Sequence, residues 1–157
     1  FATPHDHDLI YLLKSESVRP YVERIWGWDE DYQRNDFDRD FSHIEQFNII
    51  EVNGIFVGFV QYSFEYPYFE VMEIHLLPEY RGKGIATEAL TLLKEYATGY
   101  LGIHQLYAYI TAEHTASKKL FEGAGFSHTC TLKEWKRDGD DFVDVELYQW
   151  LKKHNKY

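Results

Sequence analysis

The sequence contains little cysteine and no long apolar run. Its single cysteine, Cys130, has no partner for an internal disulfide, so the 157 residues must be held by a core without cross-links. No uncharged apolar run approaches the roughly 20 residues of a transmembrane helix, and the first residues lack the basic, apolar and small-residue regions of a signal peptide. The length predicts one domain over residues 1–157. The absences predict a reducing, cytoplasmic setting and no membrane partner.

Basic residues are also few. The chain has 16 Lys and Arg against 26 Asp and Glu, a formal net charge of -10. Nucleic acids and anionic membranes attract clustered cations, so no nucleic-acid partner is expected. A cationic partner fits better, although the same charge could serve solubility alone. The eight histidines are scattered without ligand spacing, so no metal site is predicted.

Aromatic residues, in contrast, are abundant at 18% of the chain, and 45% of residues are apolar, which excludes disorder. Phe1 is interpreted as the end of a first strand that is truncated at the N-terminus. Cys130 lies within a predicted strand and is expected to be a small buried hydrophobe. Turn pairs at Asn53-Gly54 and Asp138-Gly139 predict two hairpins. The predicted helices are Leu9–Ser17, Arg19–Phe41 with a break near Gly27, Gly84–Tyr100 and Ala116–Glu122, and the predicted strands are Phe47–Val52, Ile55–Phe64, Phe69–Leu77, Leu106–Ile110, Phe126–Trp135 and Phe142–Trp150.

The segment from Arg81 to Thr87 joins a strand to the start of a long helix. A helix start leaves about four N–H groups unpaired and carries a partial positive charge, so glycines that admit phosphate oxygens make an anion site there. Gly82 and Gly84 supply the glycines, and Arg81 and Lys83 add charge. The glycines could instead only shape a tight turn. A nucleotide P-loop and the dinucleotide fingerprint are both excluded, because neither glycine pattern is complete.

The same segment resembles a family signature. Arg81-Gly82-Lys83-Gly84-Ile85-Ala86 is similar to the Arg/Gln-x-x-Gly-x-Gly/Ala motif of GNAT acetyltransferases. The segment from Glu113 to Phe126 resembles the family's second cofactor segment, and the ending from Leu132 to Tyr148 resembles ribosomal-protein N-terminal and spermidine acetyltransferases. The resemblance implies an α/β (α+β) GNAT fold, with a mixed, mostly antiparallel sheet of about six to seven strands, splayed middle strands and about four flanking helices.

The resemblance implies an acetyl-coenzyme-A-dependent N-acyltransferase. Acetyl-CoA would be the co-substrate, its pyrophosphate held at the turn, and a primary amine of a small cationic molecule or a protein or peptide N-terminus would attack it directly. The backbone near Leu76 would bind the thioester oxygen. A longer acyl group and a homodimer stay open. The residues so assigned to coenzyme A are Leu76, Leu77, Arg81, Gly82, Lys83, Gly84, Ile85, Ala86, Thr87, His114, Ser117 and Phe121.

The general acid is the departure from the family pattern. Family members often use a tyrosine where this chain has Phe121, which has no proton to give. Ser117 could donate a hydrogen bond to the departing thiolate, or could be an ordinary helix serine. The missing tyrosine keeps a second interpretation open, a catalytically weak or inactive acyl-CoA sensor or interaction module on the same fold.

Amine acetylation also needs a base for the amine proton. By the two-residue period of a strand, Glu73 and His75 share one face, and Glu70 lies on the other. Glu73 is the preferred base, His75 the second choice and Glu70 the third. Glu73 could instead pair with a lysine and take no part in the chemistry.

The acceptor is expected near Trp26, Trp28, Asp29 and Glu30, where the resemblance puts the acceptor cleft. Residues 29–40 contain six acids against two arginines. Aromatic faces beside carboxylates suit an ammonium group, such as that of a polyamine, an aminoglycoside-like amine or a peptide N-terminus. Alternatively, the two tryptophans belong to the core and the acids coat a solvated helix face.

Overall fold

The computed structural model describes residues 1–153, apart from the side chains of Tyr21 and Ile25. The last four residues of the predicted domain, 154–157, lie outside the described residues. The described range contains helices α1 (His7–Trp26), α2 (Glu30–Phe41), α3 (Ile85–Gly99) and α4 (Thr115–Gly123), and strands β1 (Phe47–Val52), β2 (Ile55–Glu65), β3 (Tyr68–Leu76), β4 (Gln105–Thr111), β5 (Ser127–Asp138) and β6 (Asp141–Leu151).

The strands form one mixed sheet in the order β1-β2-β3-β4-β6-β5. All neighbouring pairs are antiparallel except β3 and β4, which are parallel. The predicted hairpins are confirmed, since Val52 pairs with Ile55 and Asp138 with Asp141. The fold class is confirmed as a mixed α/β sheet flanked by helices.

Each face of the sheet is covered by two helices. Helices α1 and α2 cover one face, called the front face below, where Phe47 and Phe59 are fully buried among side chains such as Ile10 and Phe37. Helices α3 and α4 cover the back face, where Leu90 of α3 packs with strand residues such as Phe69. Each fully buried side chain of this size contributes about 1.5–3 kcal/mol, so two separate cores position the sheet between the helices.

The first helix differs from the prediction. The break expected between Ser17 and Arg19 is wrong, because α1 runs through Pro20 to Trp26. A proline inside a helix removes one N–H donor, and the buried side chains of the first half of α1 hold the helix in place. The break near Gly27 is confirmed, since α1 ends at Trp26.

The two ends of the described chain also differ. Residues 1–3 lie outside any strand, although the Ala2 N–H donates to the Phe47 carbonyl at 3.0 Å. Cys130 is exposed, so the prediction that it is buried is wrong. The physical reason is that β5 forms the edge of the sheet and most of its residues are exposed.

Candidate active site

A gap opens in the middle of the sheet between β3 and β4. Of the described residues, the parallel pairing of these strands joins one pair, Glu70 and Tyr107. Beyond that pair β3 continues to Leu76 and β4 continues to Thr111, and no further residues of the two described strands are paired with each other. The splayed middle strands that the resemblance implied are therefore present, and the gap leads towards the start of α3.

Backbone N–H groups of β3 point into this gap. The Leu77 N–H donates to the Val57 carbonyl at 2.8 Å, and the next pair, Gly58 with Leu76, lies opposite in register. Hydrogen-bonded and non-hydrogen-bonded pairs alternate in an antiparallel ladder, so the N–H and C=O of Leu76 point away from β2, towards β4. The same alternation turns the N–H of Ile74 to the gap. The Leu77 N–H, in contrast, is engaged within the sheet.

The end of β3 is fixed by contacts with its neighbours. The Arg81 Nε donates to the Leu76 carbonyl at 3.0 Å. On the other side of β3, a Cβ added at Gly58 would lie 2.1 Å from the His75 carbonyl oxygen, so only glycine lets β2 approach this closely. Leu76 is therefore fixed from both sides, and Arg81 positions the strand end.

The turn after β3 ends at the N-cap of α3, Gly84, whose φ of 81° lies in the left-handed region that favours glycine. No side chain caps the helix, and a Cβ at Gly84 would meet no heavy atom within 4 Å. The first N–H groups of α3, from Ile85 to Thr87, have no carbonyl one turn earlier to bind. The Lys83 Nζ lies 5.9 Å from the Tyr80 ring centroid. An open, positively polarised helix start thus lies next to the gap.

The second predicted cofactor segment divides into a surface part and a buried part. His114 is the N-cap residue of α4 and is exposed, and Ser117 in the first turn is half-buried. Phe121 is buried in the back-face core, with its ring centroid 5.0 Å from that of Phe126. Partial burial, together with the nearby charges of His75 and Lys136, holds the pKa of His114 below its usual value.

Glu73 lies in a cluster of charged side chains on the front face. Its Oε2 is 3.3 Å from the His75 Nε2 and 3.5 Å from the Lys14 Nζ. The Lys14 Nζ is also 2.7 Å from the Asp40 Oδ2. Burial alone would raise the pKa of Glu73, but the hydrogen bond with His75 and the charge of Lys14 outweigh it and hold that pKa below its usual range. The lysine partner considered as an alternative for Glu73 is therefore Lys14.

A register irregularity changes which residues share the front face. Gln61 pairs with Glu73, but Tyr62 pairs with Val71, so Met72 is an extra residue in β3. Such a bulge shifts the two-residue alternation by one position. Glu70, opposite Ser63, therefore lies on the same face as Glu73, and the prediction that it lies on the other face is wrong. Burial raises the pKa of Glu70.

Two of the four predicted acceptor residues, Trp28 and Glu30, have side-chain partners on α1 and α2. The Arg19 guanidinium lies 5.0 Å from the Trp28 ring centroid, the cation–π contact that was expected from the acceptor. The Trp28 Nε1 donates to Glu30 at 2.7 Å, and Tyr11 and Arg34 bind the other carboxylate oxygen at 2.9 Å each. Trp28 and Glu30 therefore brace the corner between α1 and α2.

The other two predicted acceptor residues are at the surface. Asp29 is the N-cap of α2 and accepts a hydrogen bond from the Tyr32 N–H at 3.0 Å. Trp26 is 69% exposed, so it is not part of the core. Of the four side chains, Trp26 is the one with a large exposed ring.

Lys14 and Asp40 were not singled out from the sequence, although one signal was available. Lys14 lies one helical turn after the fully buried Ile10, so it belongs to the buried face of α1. A lysine on a buried face requires a counter-charge. Gln61 gives the same signal, as a buried polar residue in an apolar strand, and its Nε2 donates to Asp40 at 3.2 Å.

Neither a metal cluster nor a membrane span is found in residues 1–153. Within that range, no group of three or more His, Cys, Asp or Glu side chains is placed to hold a metal ion. In the same described part of the chain, no helix is both long enough and apolar enough to cross a bilayer.

The comparisons with known proteins point to one family. A model of the acetyltransferase (GNAT) family matches residues 10–126. The chain is 29% identical over 72 residues to an uncharacterized N-acetyltransferase, p20, of Bacillus licheniformis, which covers 46% of this chain and 40% of that protein. It is 34% identical over 55 residues to spermidine N(1)-acetyltransferase of Escherichia coli K12, covering 35% of this chain and 30% of that protein. The matches thus span less than half the length of these curated relatives.

Solved structures resemble the chain over nearly its whole length. A GNAT-family acetyltransferase from Bacillus anthracis has a TM-score of 0.74 at 21% identity, covering 94% of this chain and 89% of that one. Spermidine N-acetyltransferase from Vibrio cholerae, in complex with CoA and spermine, has a TM-score of 0.73 at 18% identity, with 96% and 92% coverage. Ribosomal-protein-alanine N-acetyltransferase from Brucella melitensis has a TM-score of 0.73 at 25% identity, with 96% and 97% coverage.

Proposed function

The chain belongs to the acetyltransferase (GNAT) family, and we propose that it transfers the acetyl group of acetyl-CoA to a primary amine of a small cationic molecule or a peptide N-terminus. Family membership supports acyl transfer to amines in general. The observation that carries the finer proposal is the gap between β3 and β4, into which the Leu76 N–H points and which leads to the open start of α3.

The residues along this path fit the parts of the co-substrate. The N–H groups at the start of α3 and the Lys83 ammonium would bind the pyrophosphate. The Leu76 N–H would donate to the thioester oxygen, where negative charge develops when the amine attacks. Ser117, half-buried in the first turn of α4, would donate to the departing sulfur. Phe121 is buried, so it would anchor α4 in the back-face core rather than supply a proton.

The acceptor would enter on the front face, where α1 and α2 meet the cluster around Glu73. Either Glu73 or His75 would take the amine proton. The exposed ring of Trp26 and the acidic side chains of α2 would attract a cation, while Trp28 and Glu30 keep the corner between the helices rigid. Relatives that act on spermidine support a polyamine as the first acceptor to test.

Calorimetric titration of acetyl-CoA into the wild type and a Gly84→Glu variant tests the cofactor site. A carboxylate at the helix start repels the pyrophosphate, so the variant should lose binding. Gly102→Glu is the matched control, because Gly102 also has a positive φ, of 67°, and open space for a side chain. Equal binding by wild type and Gly84→Glu would place the cofactor elsewhere.

Turnover separates the enzyme from the sensor. Release of free thiol from acetyl-CoA in the presence of spermidine, or of a peptide with a free N-terminus, would support the transferase. If the wild type binds acetyl-CoA, Gly84→Glu abolishes that binding and no amine is acetylated, the result would support the acyl-CoA sensor. The sensor is worth testing because position 121 has phenylalanine instead of tyrosine.

A further inference from the structure

Polar side chains form a continuous line across the front face. It begins at the buried Gln61 on β2, passes through Asp40 on α2 and Lys14 on α1, and ends at Glu73 and His75 on β3. We infer that His75 is the group that accepts the proton of the attacking amine, and that Glu73 is its positioning residue, fixed by Lys14. This inference rests on the proposed acetyl transfer and names the proton acceptor within it.

Glu73 is held in place by two neighbouring side chains. Both His75 and Lys14 contact the same carboxylate oxygen, Oε2, at 3.3 Å and 3.5 Å. Lys14 is only 21% exposed, and such a buried cation requires its carboxylate partners to be charged. The pKa of Glu73, held low by His75 and Lys14 against the effect of burial, agrees with this geometry. These contacts favour the charged form of Glu73 and fit it to the role of a positioning residue.

His75 has the geometry of an oriented base. Its Nε2 faces the Glu73 carboxylate, which can only accept, so this nitrogen carries the N–H. The lone pair is then on Nδ1, in the tautomer that a carboxylate selects. The ring lies against Phe59 at 5.1 Å between centroids, which limits its rotation. His75 also directly precedes Leu76, whose N–H points into the gap where the thioester would lie.

The transfer balances with His75 as the carrier. The amine nitrogen forms a bond to the thioester carbon, and its proton passes to the His75 Nδ1. The carbon–sulfur bond breaks as the carbonyl is restored, and the thiolate that leaves takes up one proton in turn from the imidazolium, through solvent or Ser117. The net result is one proton moved from nitrogen to sulfur, and neutral His75 is regenerated.

Charged groups from several elements lie in the cluster around His75. Glu73 on the same strand and Asp40 on α2 are acidic, and Lys14 on α1 is basic and pairs with both. His114, at the start of α4, also lies near enough to interact electrostatically with His75. Glu73 contacts His75 directly, at 3.3 Å, so its carboxylate orients the ring for the transfer of the amine proton.

The test compares His75→Gln with Glu73→Gln in the pH dependence of kcat, with acetyl-CoA affinity measured alongside. His75→Gln should lower kcat at least about 100-fold, leave the affinity unchanged and remove the acid limb of the profile between about pH 5 and 8. Glu73→Gln should lower kcat but keep this limb, because His75 still accepts the proton while its ring is less well oriented. The surface variant His43→Gln should behave as the wild type.

A second measurement separates chemistry from packing, because His75 also contacts Phe59. Imidazole added to His75→Ala should restore part of the activity, with the acid limb of free imidazole. Three results would overturn the inference: an acid limb that survives His75→Gln, a limb that Glu73→Gln removes, or no rescue by imidazole. A wild type that acetylates no amine would overturn the proposed function as well, so the two failures can be told apart.

Discussion

Replacing Lys14 by methionine should destabilise the protein by an amount that depends on pH. Lys14 is 21% exposed and its partners Asp40 and Glu73 are 31% exposed each. Breaking a fully buried ion pair costs about 3–5 kcal/mol and breaking an exposed pair about 0–1 kcal/mol, so this partly exposed pair should cost about 2 kcal/mol at pH 7. Methionine keeps most of the length of the side chain, so the lost charge dominates.

The sign of the pH effect follows from Glu73. Its pKa is lower in the folded than in the unfolded state, so its contribution to stability is fully present above the unfolded value of about 4.3 and is lost as the pH falls through the folded value. Lys14→Met removes one of the causes of the low pKa. The variant can then protonate Glu73 at higher pH than the wild type, and the difference in unfolding free energy should shrink between pH 7 and pH 4.

Urea unfolding followed by tryptophan fluorescence at both pH values measures this difference. The control is Lys133→Met, because Lys133 is 80% exposed and pairs with Asp144 at 3.3 Å. Its replacement should change the unfolding free energy by less than about 0.5 kcal/mol. An equal loss for Lys14→Met at both pH values would refute the reasoning, since it would show that packing and not charge was lost.

Two further predictions concern residues close to the candidate site. Gly58→Ala should lower the unfolding free energy by about 2–3 kcal/mol, because its Cβ would lie 2.1 Å from the His75 carbonyl oxygen. The control is Gly99→Ala, where the added Cβ has open space. Equal stability of the two variants in urea unfolding would contradict this prediction. Lys136→Gln should raise the low pKa of His114, because it removes one of the positive charges that oppose protonation. An NMR titration of the imidazole signals measures it, and an unchanged pKa would rule out that cause.

Short-range patterns in the sequence were sufficient for much of the fold. The hairpin at Asn53-Gly54 and the helix start after Gly84 depend on a few adjacent residues, and the structure contains both. The splayed strands and the mixed sheet followed from the family resemblance rather than from periodicity.

Features that depend on a partner strand or helix could not be predicted. The extra residue at Met72 shows only when β3 is aligned with β2, so the alternation that assigned Glu70 to the other face was wrong. The contact of Arg19 with the Trp28 ring joins α1 to the segment before α2, and neither sequence position indicates it alone. The Lys14 cluster joins two helices and a strand, so it too required the tertiary structure.

The far end of α1 meets the tip of the β5–β6 hairpin through an ion pair between Arg24 and Asp138, 114 residues apart in sequence. A contact of such separation closes a long loop, which has an entropic cost. During synthesis α1 leaves the ribosome long before the hairpin that it touches, so this ion pair can form only when the last strands have been made. A nascent chain stalled before residue 138 would lack this closing contact, and it would also lack Tyr148, a buried residue of the back-face core.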